Sequence, residues 1–401
     1  MQFLQTRSGL VFFFAFLILA VTEILKVYFI MPMPGSQWQN NVELAYNINR
    51  FIWLSRIVGC ALLAASLFFI FKESAAWKKI LAVVAFLLVA AVIYLTNFVM
   101  LADKMFYQPE IKLMLPTDGN KIEGERIVIG VVLNGEAKAY PVNIIGYHHQ
   151  VLDTVGGEKL MITYCTVCRT GRVYKPQVNG KPESFRLVGM DQFNAMFEDA
   201  TTKSWWRQAT GECCAGPLKG NKLEEVLSQQ MTLASWQSSH PQTLVMQPDP
   251  KFTGQYAGLK GYDDGSSRSS LTGTDTTSWQ RKSWIVGVEC AGGEKIYDWN
   301  LLKARKVIHD MVGKTPVVLF IGNDGQSFYV FETPKGEETL LEFTSIDSLH
   351  QFTDKNTGSV WNTKGACVEG KLTGVQLKPV AAYQEFYHSF STFHTKAEVY
   401  K

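Results

Sequence analysis

Hydrophobic positions are unevenly spread along the chain. Three early runs, at 10–31, 51–71 and 80–101, are each about 20 residues of mostly apolar side chains, the length an α-helix needs to cross roughly 30 Å of hydrocarbon. No small-x-small cleavage pattern follows the first run and two more come after it, so the pattern predicts three transmembrane helices, not a removed signal peptide. Glu23 and Lys26, at i and i+3 near the end of the first run, are expected to neutralise each other on one helix face. Beyond residue 104 the pattern changes. Residues 127–133, 159–164, 172–175, 284–289, 317–321 and 327–332 are short, rich in valine, isoleucine and aromatics, and bounded by glycine-containing turns, which reads as strands. Helical spacing is sparse, with short helices expected at 142–147, 194–198, 223–228 and 380–388.

The strand pattern recurs. Laying Gly130 on Gly287 gives an offset of 157 positions that also pairs Lys138 with Lys295, Tyr140 with Tyr297, Asp153 with Asp310 and Gly156 with Gly313. After one single-residue gap, Asp199, Ser204, Trp206, Cys213 and Gly216 find counterparts in Asp354, Ser359, Trp361, Cys367 and Gly370. An internal duplication is therefore expected. The fold expected is a membrane-anchored chain: three N-terminal transmembrane helices, then a predominantly β (α+β) soluble region of two homologous domains. The boundaries are a membrane domain at 1–104, a first repeat at 105–248, a linker at 249–281 and a second repeat at 282–401. The linker rests on Tyr262-Asp-Asp-Gly-Ser-Ser-Arg-Ser-Ser-Leu-Thr-Gly-Thr-Asp275, a composition too polar to build a core.

Composition adds little beyond this. The chain has 401 residues, 47% of them hydrophobic, as expected of a membrane part joined to two or three domains. Its net charge of +3 is unclustered, which argues against nucleic acid. No phosphate-cradling glycine loop, nucleophile elbow or zincin helix is present, so no nucleotide cofactor is expected. Arg7, Lys72, Lys78 and Lys79 on one side of the three runs outnumber Arg50, Arg56 and Lys104 on the other, which places residues 102–401 outside the cytoplasm.

Of seven cysteines, Cys60 lies in the second apolar run, and the other six are an even number whose pairing the sequence leaves open. Cys165 and Cys168, in Ile162-Thr-Tyr-Cys-Thr-Val-Cys-Arg-Thr-Gly171, carry the candidate chemistry; their counterparts in the second copy are Gly322 and Gly325. A pair between two strands, with Gly171 in the turn, resembles a metal-binding knuckle more than a thioredoxin-type pair, which opens a helix. His148 is the expected further ligand, with His149, Cys213 and Cys214 behind it. Two thiolates with an imidazole suit copper or zinc. A thiol-disulfide oxidoreductase acting on partner proteins, and a structural or interaction module whose cysteines only staple the fold, remain alternatives. Trp205, Trp206 and Trp361 are expected as core anchors, and Asp153 and Asp310 in a turn or capping role.

The run of motifs Gly135-Glu-Ala-Lys-Ala-Tyr-Pro141, Tyr147-His148, Asp153-Thr-Val-Gly-Gly157, Thr163-Tyr-Cys-Thr-Val-Cys168 and Gly216-Pro-Leu-Lys-Gly220 resembles the bacterial domain-of-unknown-function 3179 family, closely over 120–250 and more loosely in the second copy. His149, Ala200 and Cys213-Cys214 stand where that family usually shows an acidic residue, an arginine and small or aliphatic residues. The resemblance carries no activity; it implies an exported or membrane-anchored protein. The expected location is the inner (cytoplasmic) membrane, multi-pass, with the lipid bilayer and a soft metal ion as partners.

Overall fold

The computed structural model describes residues 7–334 and 340–401, so the first six residues of the expected membrane domain lie outside the described residues. The chain forms two compact units. One comprises residues 1–107, Glu183–Arg207 and Glu212–Asn221; the other comprises Gln108–Pro182, Gln208–Gly211 and Lys222–Lys401.

The first unit holds α1 (Ser8–Tyr28), α2 (Val42–Glu73) and α3 (Ala76–Tyr94), the last continued by a π-turn at Leu95–Val99. All three are long and apolar enough to cross a membrane. They pack through Ala15, Leu19, Leu63, Ala82 and Val89. Phe13, Trp53, Phe68 and Leu87 point outward and stay exposed, an apolar surface that a bundle in water would cover. Glu23 is fully buried, and its partner is Arg56 of α2 (Nε to Oε1, 2.5 Å), not Lys26, which donates instead to Asn97 Oδ1. A buried carboxylate needs several donors, and helix packing supplies them from Arg56, Asn97 and Thr96.

The same unit contains an antiparallel sheet of Phe185–Asp191, Asn194–Asp199, Trp205–Arg207 and Cys213–Ala215. Residues 194–198, expected as helix, form a strand because Gln192 and Phe193 turn at positive φ and close a hairpin. Asp199 ends that strand by accepting from the Thr202 and Ser204 amides and the Trp206 indole. Trp205 and Trp206 are both buried.

The second unit carries β1 (Ile127–Leu133), β2 (Glu136–Pro141), α4 (Val142–His148), β3 (Gln150–Val155), β4 (Glu158–Cys165) and β5 (Thr170–Tyr174). The same order returns as β6 (Trp284–Cys290), β7 (Gly293–Asp298), α5 (Trp299–Arg305), β8 (Val307–Val312), β9 (Thr315–Ile321) and β10 (Phe328–Glu332), each start 157 or 158 positions later. Local bonding recurs with the elements. Tyr140 donates to Asp153 and Tyr297 to Asp310, each at 2.8 Å, with Lys138 and Lys295 beside them. Both aspartates therefore clamp strands and do not cap turns. Asp354, Thr357, Ser359 and Trp361 repeat the bonding around Asp199.

β1 and β2 belong to a five-stranded sheet, and β3, β4 and β5 form an antiparallel three-stranded one. β6 pairs with β7 on one side and on the other with β11 (Ala381–Phe386), which runs into α6 (Tyr387–Phe393). Residues 380–388, expected as one helix, are thus mostly strand, because Ala381–Phe386 pair along their length with β6 and are buried on both faces. Residues 223–228 are not helical either; Ser228–Thr232 is a strand against β1. The stretch 249–281, expected as a solvated linker, folds onto the unit through buried Phe252, Tyr256 and Tyr262. Its aromatics supply the core that its serines and glycines lack.

A close approach fixes each β-hairpin. A Cβ on Gly130 would lie 2.3 Å from the Trp236 ring, and one on Gly287 would lie 2.1 Å from Phe390. Gly130→Ala is therefore expected to destabilise the unit by about 1–3 kcal/mol through overpacking, measurable as a lowered unfolding midpoint of the full chain in detergent; an unchanged midpoint would show that Trp236 can move.

Candidate functional site

The Cys165/Cys168 pair sits at the end of the β4–β5 hairpin. Cys165 closes β4 and pairs with Thr170, and the turn between them contains Cys168 and Arg169, the latter at φ 57°. Gly171, expected in the turn, lies inside β5 opposite Tyr164, where a Cβ would strike Ile129. Neither thiol is in a disulfide, and both residues have 0% exposure. Burial pushes the Cys168 thiol well above its ordinary pKa, and its hydrogen bond to Cys165 and the charge of that neighbour push the same way, while Ser389 opposes them.

A polar network extends from Cys168. Ser389, in α6, donates to Glu385 Oε2 at 2.7 Å and shares a hydrogen bond with Thr170 at 3.0 Å. Glu385 in turn pairs with Arg172 Nη2 at 2.5 Å. The Arg172 guanidinium is fully buried and lies 3.2 Å over the Tyr383 ring. Burial works against its charge, but Glu385 first, then Tyr383, Glu225 and Glu289, more than offset this and hold it above its usual range. The hairpin turn is pinned on both sides. The Phe386 amide donates to the Cys168 carbonyl at 3.0 Å, and Arg169 donates to Gln384 and to the carbonyls of Tyr262 and Asp263, all at 2.9 Å. Burial lowers the pKa of both Arg281 and Lys282, and the charge of a Cys168 thiolate opposes it at each.

The expected ligands separate into different places. His148, at the end of α4, is buried among Tyr147, Phe252 and Tyr256, with Nε2 2.7 Å from the Tyr256 hydroxyl. His149 is also buried, turned at φ 60°, with Nδ1 3.0 Å from the Tyr164 carbonyl. Cys213 and Cys214 belong to the first unit, where burial first raises their thiols to about 11 and about 12. Among the described residues, the group of three candidate ligands whose donor atoms lie within 4.8 Å of one another is Glu289, Glu294 and His394; Cys165, Cys168 and His148 do not gather in that way.

Burial, opposed by the bond to Tyr164, lowers His149 to about 4; burial and then Arg281 lower His388 to about 4. An unfolded imidazole titrates near 6.5, so between about pH 6.5 and 4 the unfolded chain binds more protons than the folded one. Stability present above that window is lost as pH falls through it, by up to roughly 3 kcal/mol per histidine. Chemical unfolding at a series of pH values should show this decline, and a flat profile down to pH 4 would exclude it.

Sequence reasoning missed Arg172, Glu385 and Ser389 as neighbours of the pair. Arg172 lay in plain view four positions after Cys168, but Glu385 and Ser389 carry no local signal and are more than 210 positions away.

A buried dithiol at a hairpin turn, backed by a buried ion pair, in a sheet-rich region that follows three apolar helices, describes the class of protein. Residues 108–397 match the model of the family described as protein of unknown function (DUF3179), and the chain belongs to that family. Comparison with curated proteins and with solved structures found no match.

Proposed function

We propose that this is a membrane-anchored protein of the inner membrane, its sheet-rich part outside the cytoplasm, in which Cys165 and Cys168 bind a single cuprous ion through two sulfurs. The observation that carries this reading is the hydrogen bond between two buried thiols at one hairpin turn, with no third metal-binding side chain among the described residues gathered beside them. Zinc calls for four ligands and keeps at least three from the protein. Soft thiolates select cuprous copper, which accepts two-coordination. The bis-thiolate complex carries one net negative charge, and Arg281 and Lys282 supply nearby positive charge. A raised thiol pKa and full burial weigh against an oxidoreductase, whose attacking thiolate must be exposed and stabilised. The matched order of β1–β5 and β6–β10 supports a duplicated domain whose second copy lost the site, with Gly322 and Gly325 at the equivalent positions.

The test is metal analysis of the full chain, reduced under anaerobic conditions, offered cuprous copper or zinc separately and then dialysed. One copper per chain and no retained zinc are expected, with copper lost from Cys165→Ala and from Cys168→Ala. Equal copper in the double variant would overturn the assignment.

A further inference from the structure

The first unit contains a pocket of about 280 Å³ whose chemistry is unrelated to the thiols. It is small for a ligand site, at the lower end of the roughly 300–1,000 Å³ usual for such pockets, and it is strongly basic. Lys26 enters it from the end of α1, Arg50 from the first turns of α2, and Arg186 and Lys203 from the adjoining sheet. The one carboxylate in its lining is Glu198, and it is taken up by Arg186 at 2.9 Å. Among the described residues, neither Arg50 nor Lys203 has a carboxylate partner. Two cations are left facing one cavity without compensation. Lys203 is held in a left-handed conformation at φ 60°, stabilised as the amide donating to the Asp199 carbonyl at 3.2 Å, so its backbone is fixed beside the pocket.

The position of the pocket along the helices identifies its ligand. α2 has 32 residues, about 48 Å at 1.5 Å per residue, against roughly 30 Å of hydrocarbon. Its surplus turns must project from the apolar layer, and the sequence Val42-Glu-Leu-Ala-Tyr-Asn-Ile-Asn-Arg50 shows that the polar surplus is at its start. The pocket is therefore at headgroup depth. Tyr46 and Trp205 stack edge to face in its wall at 5.2 Å between centroids, the kind of aromatic pair that favours the membrane–water interface.

We infer that this pocket binds the phosphodiester of an anionic phospholipid headgroup, with Arg50 and Lys203 as its principal contacts and Lys26 beneath them. The inference rests on the membrane anchoring proposed above. A zwitterionic headgroup would bring its own ammonium into a site already crowded with cations, so the lipid class is one whose phosphate is not internally compensated, such as phosphatidylglycerol.

The test uses the full chain in nanodiscs of phosphatidylcholine alone and of phosphatidylcholine with phosphatidylglycerol, followed by native mass spectrometry of the lipid retained after release into detergent. Preferential retention of phosphatidylglycerol is expected, weakened about fivefold by each of Arg50→Gln and Lys203→Gln, with circular dichroism confirming that the variants fold. Insertion into both membranes without lipid preference would overturn the headgroup site and leave anchoring intact. Failure to insert into either would overturn both. Inorganic phosphate displacing the lipid at equal concentration would show a free-phosphate site and overturn the lipid assignment.

Discussion

Glu385→Ala is expected to destabilise the protein by about 3–5 kcal/mol, the cost of leaving one partner of a buried ion pair without the other. Arg172 is fully buried, and after the substitution its guanidinium would keep the Gly171 carbonyl, the Tyr383 ring and the more distant Glu225 and Glu289, at 3.4 and 3.8 Å, but no close carboxylate. Ser389 and Thr170 would lose their acceptor at the same time. Arg172→Met alone is expected to cost a similar amount, because it strands a carboxylate with 1% exposure. The double variant, Arg172→Met with Glu385→Leu, should recover much of the loss, since apolar replacements of a buried pair are often tolerated. Unfolding of the full chain in detergent, followed by tryptophan fluorescence, checks all three. Additive losses in the double variant would mean the two side chains do not act as a pair.

Copper affinity is expected to rise steeply with pH. Thiolate, not thiol, is the ligand, so each protonated thiol must release a proton on binding. Cys168 has its pKa raised by burial first and then by Cys165, so it stays protonated throughout the neutral range in the apo protein. Its proton alone makes the apparent affinity climb about tenfold per pH unit up to that raised pKa, and a proton released from Cys165 would steepen the slope. Cys168→Ala removes the second sulfur of a chelate and should lower affinity by roughly 10²–10⁴-fold. Competition against a chelator of known cuprous affinity at several pH values measures both effects. A pH-independent affinity would mean that the ligands are already deprotonated, contrary to their burial.

The recurring order of elements and the hairpin were legible because the pattern of each element is local. A fixed offset brought Tyr140 and Asp153 into register with Tyr297 and Asp310, and the strands on either side of Cys165 and Cys168 showed in their valines, isoleucines and aromatics. Short helices were not legible. Residues 194–198 and 380–388 have helix-compatible composition, but pairing partners elsewhere in the chain decide their state. Glu385 was not legible as the partner of Arg172, because a buried ion pair needs no sequence spacing. The expected ligand His148 came from proximity in sequence, yet its place at the end of α4 directs its Nε2 to Tyr256. Tyr262 was hidden in a serine- and glycine-rich stretch whose average composition argues for solvent; one aromatic, bonded to the Thr166 carbonyl at 2.9 Å, anchors it beside the thiols.

Copper K-edge absorption of the full chain loaded with one equivalent of cuprous ion tests the two-sulfur assignment most directly. The expected spectrum is that of copper with two sulfur ligands and no imidazole nitrogen, unchanged in His148→Ala and lost in Cys165→Ala. A nitrogen ligand that disappears in His148→Ala, or the same copper environment in Cys165→Ala, would contradict it.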